Sequence, residues 1–183
     1  LDGGGQKLAC GLVNGETAVY ALDGQKISTF KAHRGAVWNV AFSPDGQSLL
    51  TSSGDRSKSG TSAKLWNLQG HLLRKYPVPT RQLTEALLGP DSTVFTISFG
   101  GSIRQWDASG DMIHSFKGHQ ASVNDLVILP GDPARLYSAS GDTTGGDNGI
   151  RLWHYGKRYR KIAGSAEAEF HNLAVSPDAH QLL

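Results

Sequence analysis

The sequence predicts an all-β fold built from repeated units of four short antiparallel strands. Three observations lead there. Glycine makes up 23 of the 183 residues, about twice its average share. Glycine reaches positive φ without steric cost, so such abundance marks many tight turns. The second observation is internal repetition. Phe42-Ser43-Pro44-Asp45-Gly46 returns as Leu88-Gly89-Pro90-Asp91, as Leu129-Pro130-Gly131-Asp132 and as Val175-Ser176-Pro177-Asp178. The third is that no segment keeps a 3.6-residue apolar period long enough for a helix.

The repeat has further markers in step. The Asp residues at 2, 45, 91, 132 and 178 are spaced by 43, 46, 41 and 46 residues. Tyr20, Trp66, Trp106 and Trp153 follow at 46, 40 and 47. Lys31-Ala32-His33 and Lys117-Gly118-His119 lie two repeats apart. The second repeat divides cleanly into elements. Val37 to Phe42 is strand a, and Ser43-Pro44-Asp45-Gly46 turns the chain. Ser48 to Ser52 is strand b, Ala63 to Trp66 strand c and, after a turn at Leu68-Gln69-Gly70, Leu72 to Tyr76 strand d. Short β-prone runs punctuated by Gly, Pro, Asp and Asn are what antiparallel sheet requires.

Bulk composition narrows the function. Net charge is +2 with both signs interspersed. The densest basic run, Lys157-Arg158-Tyr159-Arg160-Lys161, could grip phosphates and stack a base. An exposed strand edge carrying protective charges is the favoured reading, so nucleic acid is disfavoured as a partner. Cys10 is the one cysteine, which excludes an internal disulfide, and it is expected in the core. No apolar run approaches the length of a membrane span. The chain opens on Leu1, within a repeat, so the expectation is a piece of a longer protein; a cytoplasmic location is expected.

The pattern His-x-x-x-Val-x-x-Val-x-Phe-Ser-Pro-Asp-Gly from His33, followed by Lys64-Leu65-Trp66-Asn67 or Arg151-Leu152-Trp153, resembles the WD-repeat family. The resemblance covers essentially the whole chain. The positions nearest the family's Trp-Asp pair are Trp66-Asn67, Trp106-Asp107 and Trp153-His154, with Tyr20-Ala21 a weak first copy. It implies β-propeller blades of four antiparallel strands. The division is a partial blade at 1–30, whole blades at 31–76, 77–116 and 117–162, and a partial blade at 163–183. About four blades leave open faces, so an incomplete propeller is expected. A closed four-blade ring, or two chains sharing one ring, are the alternatives. The wording of the repeats also resembles bacterial, especially cyanobacterial, members that accompany signalling domains.

His119, Ser138 or Ser140, Asp147 and Trp153 follow one another like a nucleophile-base-acid set. The resemblance implies instead a hydrogen-bond network that ties the strands of one blade together, with no catalytic residue and no enzyme activity. A buried imidazole must satisfy two nitrogens, and Ser, Asp and the Trp N–H are suitable partners. His33, Thr51 or Ser52, and Trp66 would form the second network, with Asp55 displaced by an insertion. The third blade has Pro79 and Gly100 in place of His and Asp and is expected to be held by packing alone. The Gly-rich segment Asp142 to Gly149 lacks the Glu and acidic spacing of a calcium loop. His71, His114, His154, His171 and His180 show no ligand spacing. Neither a metal nor a cofactor is expected.

The resemblance places binding on the face around the channel mouth, at positions three and five after each blade His. These are Ala36 and Trp38, Gln82 and Thr84, Ser122 and Asn124, and Glu169 and His171. Two long b–c loops, from Asp55 to Ser62 and from Asp142 to Asn148, fall on the same face. Trp38 reads either as an anchor for a partner or as packing against a neighbouring blade. The expected function is a scaffold or sensor that binds a protein or peptide, with Trp38, Arg56, Lys58 and Asn124 in contact. The alternative is the sensor part of a multidomain signalling enzyme, an ATPase, kinase or caspase-like protein, whose catalytic domain is appended outside these residues.

Overall fold

In the computed structural model, the described residues are 1–54, 62–78, 82–132, 134–141, 148–154, 157–164, 169–176, 178–179 and 181–182, with the side chains of 157–159 excepted. They form four antiparallel sheets in chain order. β1 (Lys7–Gly11), β2 (Glu16–Ala21) and β3 (Lys26–Lys31) make a three-stranded sheet. β4 (Asn39–Phe42), β5 (Ser48–Ser53), β6 (Ser62–Asn67) and β7 (Leu72–Pro77) make the second. β8 (Leu83–Leu88), β9 (Val94–Ser98), β10 (Ile103–Trp106) and β11 (Met112–Phe116) make the third. β12 (Val123–Ile128), β13 (Arg135–Ser140), β14 (Gly149–His154) and β15 (Lys157–Gly164) make the fourth. In each four-stranded sheet the spatial order is the chain order, so each is a meander in the manner of a propeller blade.

The turns explain why the strands stop where they do. At Ser43-Pro44-Asp45-Gly46 the Ser43 hydroxyl donates to Asp45 Oδ1, and Gly46 N–H closes the turn on the Ser43 carbonyl at 2.8 Å. Gly46 sits at φ +65°, the conformation for which glycine is suited. The same turn recurs at Ser176, where Ala179 takes φ +60° and again bonds the Ser176 carbonyl. Strand a of the second unit starts at Asn39 rather than Val37. Strands β3, β7 and β15 end at residues 31, 77 and 164, one or two past the proposed unit ends.

The sheets are stacked, and the core lies between consecutive sheets. Val19 of the first sheet meets Leu49 and Leu68 of the second. Leu50 and Tyr76 of the second meet Leu83, Ala86 and Trp106 of the third. Phe95, Ile97 and Ile103 of the third meet Val123, Leu126 and Trp153 of the fourth. An aromatic pair marks each junction. Phe30 lies 5.1 Å from Trp66, Tyr76 6.3 Å from Trp106 and Phe116 5.7 Å from Trp153, centroid to centroid. An outer-strand ring of one sheet therefore always meets the third-strand Trp of the next. Such offset pairs add about 0.5–1.5 kcal/mol to the area they bury. Cys10 is only part-buried, because β1 is an edge strand with one side uncovered. The basic run 157–161 lies on β15, the outermost strand of its sheet.

A second device joins the sheets at one end. The turn after β1 carries Gly15, whose carbonyl accepts the N–H groups of Ala32 and His33 at 3.0 and 2.9 Å. Val37 N–H bonds the Leu12 carbonyl in the same loop. Gly101 presses against the carbonyls of His119 and Ala121 in the same way. The turns at Gly15 and Gly101 thus each lie against the segment that enters the next sheet.

Gly15 and Gly24 isolate what this clasp contributes. Both have positive φ, +85° and +88°. A Cβ on Gly15 would overlap the His33 carbonyl, whereas one on Gly24 meets nothing within 4 Å. Gly24→Ala should cost about 1–2 kcal/mol for conformation alone, and Gly15→Ala should cost roughly 4 kcal/mol or more. Urea midpoints measure both, and equal losses would show that the clasp is not tight.

Candidate functional site

The buried polar networks decide whether a catalytic reading survives. His119 Nε2 lies 2.6 Å from Ser138 Oγ, and Trp153 Nε1 donates to the same oxygen at 2.7 Å. His33 Nε2 lies 2.8 Å from Thr51 Oγ1, and Trp66 Nε1 donates to that oxygen at 2.9 Å. Thr51 and Ser138 therefore occupy the hydroxyl position, and Ser52 and Ser140 do not; the latter two are buried without a hydroxyl partner among the described residues. Asp147 and Asp55 lie outside the described residues. Ser138 has no exposed area, and its oxygen is shared between a ring nitrogen and an indole. A substrate cannot reach it, so this geometry is that of a tie between strands.

The third sheet corrects the expectation of packing alone. Trp106 Nε1 donates to Thr96 Oγ1 at 2.9 Å, so the hydroxyl–indole half of the tie persists. Pro79 lies outside the described residues. The reason is geometric. Trp106 pairs with Val94 and Arg104 with Thr96, so Thr96 is the diagonal same-face neighbour of Trp106, and their approach needs no histidine.

The candidate face is built from the segments that join one sheet to the next and from the turns after β1 and β9, at the clasped end. Trp38 is 65% exposed there. Its N–H bonds the Ser52 carbonyl at 2.9 Å, while Asn39 pairs with that same Ser52. Two residues facing one is a bulge, and a bulge re-aims a side chain. The register slips likewise between Leu83 and Glu85 and between Val123 and Asp125. Thr84 and Asn124 are the extra residues. Their side chains are held within the scaffold: Thr84 Oγ1 donates to the Val123 carbonyl of the next sheet at 2.7 Å, and Asn124 Nδ2 donates to Gly141 and Phe170 carbonyls at 3.1 and 3.0 Å. Thr84 thus joins two sheets, and Asn124 ties its own sheet to the segment after β15, which leaves Asn124 without the free amide expected for partner contact.

The remaining candidates divide by burial. Ala36 and Gln82 are half-buried, and Gln82 uses its carbonyl to hold Phe99 N–H at 3.3 Å. Ser122 is buried. Glu169 Oε2 lies 3.1 Å from Nε2 of the exposed His171. Arg56 and Lys58 lie outside the described residues, as does the stretch 142–147 of the glycine-rich loop. Val13 and Phe99, at 89% and 53% exposure, join Trp38 on the loop face.

One position escaped the sequence reading. Asn39, Glu85 and Asp125 follow the three bulges on successive inner strands. Asn39 Nδ2 donates to Glu85 Oε1 at 3.2 Å. Asp125 accepts the N–H groups of Leu126 and Leu173 at 2.7 and 2.6 Å. Burial, with the Asp125 charge second, pushes the Glu85 carboxyl up to about 7. Reading one residue beyond position five after His33 and His119 reaches Asn39 and Asp125.

With this geometry in hand, comparison with known proteins is informative. The family model described as "WD domain, G-beta repeat" matches residues 24–57 and 110–154. Residues 24–57 and 110–154 therefore match WD repeats. It is 26% identical over 172 residues to transducin beta-like protein 2 of Mus musculus, covering 83% of this chain and 36% of that one. It is 26% identical over 148 residues to WD repeat-containing protein 1 of Gallus gallus, 75% and 24% of the two chains. Protein HIR1 of Kluyveromyces lactis is 28% identical over 145 residues, 72% and 16%. The chain thus spans about a third or less of these relatives. They are eukaryotic, and they lend no support to a bacterial signalling affiliation. Proteins of WD repeats act as interaction scaffolds and bind other proteins. Among the described residues no helix is long and apolar enough to cross a membrane, and no three His, Cys, Asp or Glu gather as metal ligands.

The ties and the carboxylate yield two expectations for the chain. Thr51→Val strands both an imidazole and an indole and should cost about 2–4 kcal/mol, whereas Thr96→Val strands one indole and should cost about 1–2 kcal/mol. Urea unfolding distinguishes the two, and equal losses would mean that His33 gains nothing from Thr51.

The second concerns pH. Burial, reinforced by the Lys64 charge, lowers His33 from 6.5 to about 4. The unfolded chain therefore gains a proton that the native state refuses, and stability falls as pH drops from about 6.5 towards 4. Glu85 is raised, from 4.5 to about 7, so its native state keeps a proton that the unfolded chain releases, and stability falls as pH rises across that window. Each shift corresponds to roughly 3 kcal/mol, with opposite signs. Glu85→Gln should therefore raise the urea midpoint at pH 7.5 and expose a decline towards pH 5 that the wild type masks. An unchanged profile would mean that Glu85 titrates normally.

Proposed function

We propose that the loop face carrying Trp38 docks a polypeptide partner, with Trp38 as the anchor. The observation that supports this most is a large ring exposed on a pinned backbone. Trp38 is 65% exposed, yet its N–H is held by Ser52, and the loop before it is fastened to Leu12 and Gly15. An anchor held this way loses little freedom on binding, which favours affinity. Val13 and Phe99 extend apolar area on the same face, and the exposed His171 supplies a polar rim. Apolar rings within a polar border are the usual composition of an interaction hot spot. Reading the chain as the sensor part of a larger signalling enzyme uses the same face and adds a catalytic part beyond these residues; no observation favours it over the plain scaffold.

Peptides selected against the chain from a random display library provide the test. Trp38→Ala should weaken the selected peptides by about 1–3 kcal/mol while the urea midpoint stays within about 0.5 kcal/mol of wild type. Undiminished affinity would move the docking site elsewhere, and a large loss of stability would make Trp38 a packing residue.

A further inference from the structure

Away from the loop face, a groove of about 340 Å³ runs between inner strands β4 and β8. Ala41, Phe42, Leu87, Leu88 and Leu1 give it apolar walls, and Glu85 is the one lining residue with a charged side chain. Asn39 occupies Glu85 Oε1; Oε2 has no hydrogen bond or ion pair among the described residues. No described Lys, Arg or His pairs with Glu85 or Asp125. Asp125 itself accepts two backbone N–H groups, and its carboxylate adds to the upward push on Glu85.

We infer that this groove takes a lysine side chain of a polypeptide, the apolar stem lying against Phe42 and Leu87 and the ammonium pairing with Glu85. The site is distinct from the Trp38 face and does not depend on it. Charge decides the occupant. A half-buried carboxylate beside a second carboxylate repels an anion and is left unpaired by a neutral apolar ligand, which costs desolvation with no return. A cation at Glu85 relieves both the burial and the repulsion. A divalent metal would need more oxygen ligands than the groove offers. A lysine stem matches the remaining wall, because its methylenes pack on apolar surface while its head stays polar.

The probes are two blocked pentapeptides, acetyl-Ala-Ala-Lys-Ala-Ala-amide and the same peptide with norleucine in place of lysine. They share the stem and differ in the ammonium. Titration calorimetry at pH 7.5 should give at least about tenfold tighter binding of the lysine peptide, the size of one charge-assisted hydrogen bond. Glu85→Gln should remove that ratio and leave the norleucine peptide unchanged. Trp38→Ala should preserve the ratio. Equal binding of the two peptides to wild type, no binding of either, or a ratio that survives Glu85→Gln would each overturn the assignment.

Discussion

The structure depends on the clasp between one sheet and the next. A blade of four short strands has two apolar faces and cannot bury either alone. It gains a fold only by stacking, and stacking requires the sheets to sit at a fixed spacing and angle. The carbonyl of Gly15 sets that spacing by taking the N–H groups of both Ala32 and His33. His33 then turns its ring into its own sheet, where Thr51 and Trp66 receive it. One residue therefore holds two sheets: its backbone is bound by the sheet before and its side chain by the sheet it enters. His119 repeats the side-chain half of the arrangement with Ser138, and its carbonyl lies close against Gly101.

Packing follows from that placement. Once the sheets are set, Phe30 meets Trp66, Tyr76 meets Trp106 and Phe116 meets Trp153, and the aliphatic clusters fill the space between. The third sheet keeps its Trp106–Thr96 bond and its aromatic pair. Contacts only between neighbours make each junction nearly independent, so one blade can lose part of its tie while the others keep theirs. The same geometry creates the functional surfaces. The clasp pins the loop that presents Trp38, and the parallel run of inner strands leaves the groove that ends at Glu85.

Much of this was legible in the residues. The Ser-Pro-Asp-Gly turns and the regular Trp spacing disclosed four-stranded units, because turn chemistry and strand length are local properties. His119, Ser138 and Trp153 were legible as one network for the same reason: the repeat fixed their order. Bulges were not. An extra residue at Thr84 or Asn124 leaves no mark on the hydrophobic alternation, yet it swings the side chain from the channel mouth onto the adjoining backbone. That single slip moved two candidate contact residues into the scaffold and hid Glu85, whose behaviour arises from burial and from Asp125 on another strand. The aromatic partners of the Trp residues were equally silent, since Phe30, Tyr76 and Phe116 sit a whole sheet away from the rings they touch.

Native-state hydrogen exchange of the Ala32 and His33 amides measures the clasp most directly. Both donate across the sheet junction to one carbonyl. If the clasp governs the stacking, these amides exchange as slowly as those of Leu49 and Leu50 in the buried strand β5, through the same large-scale opening. Exchange as fast as the exposed turn amide of Gln25, with β5 still protected, would mean that the junction opens on its own and that packing alone holds the sheets together.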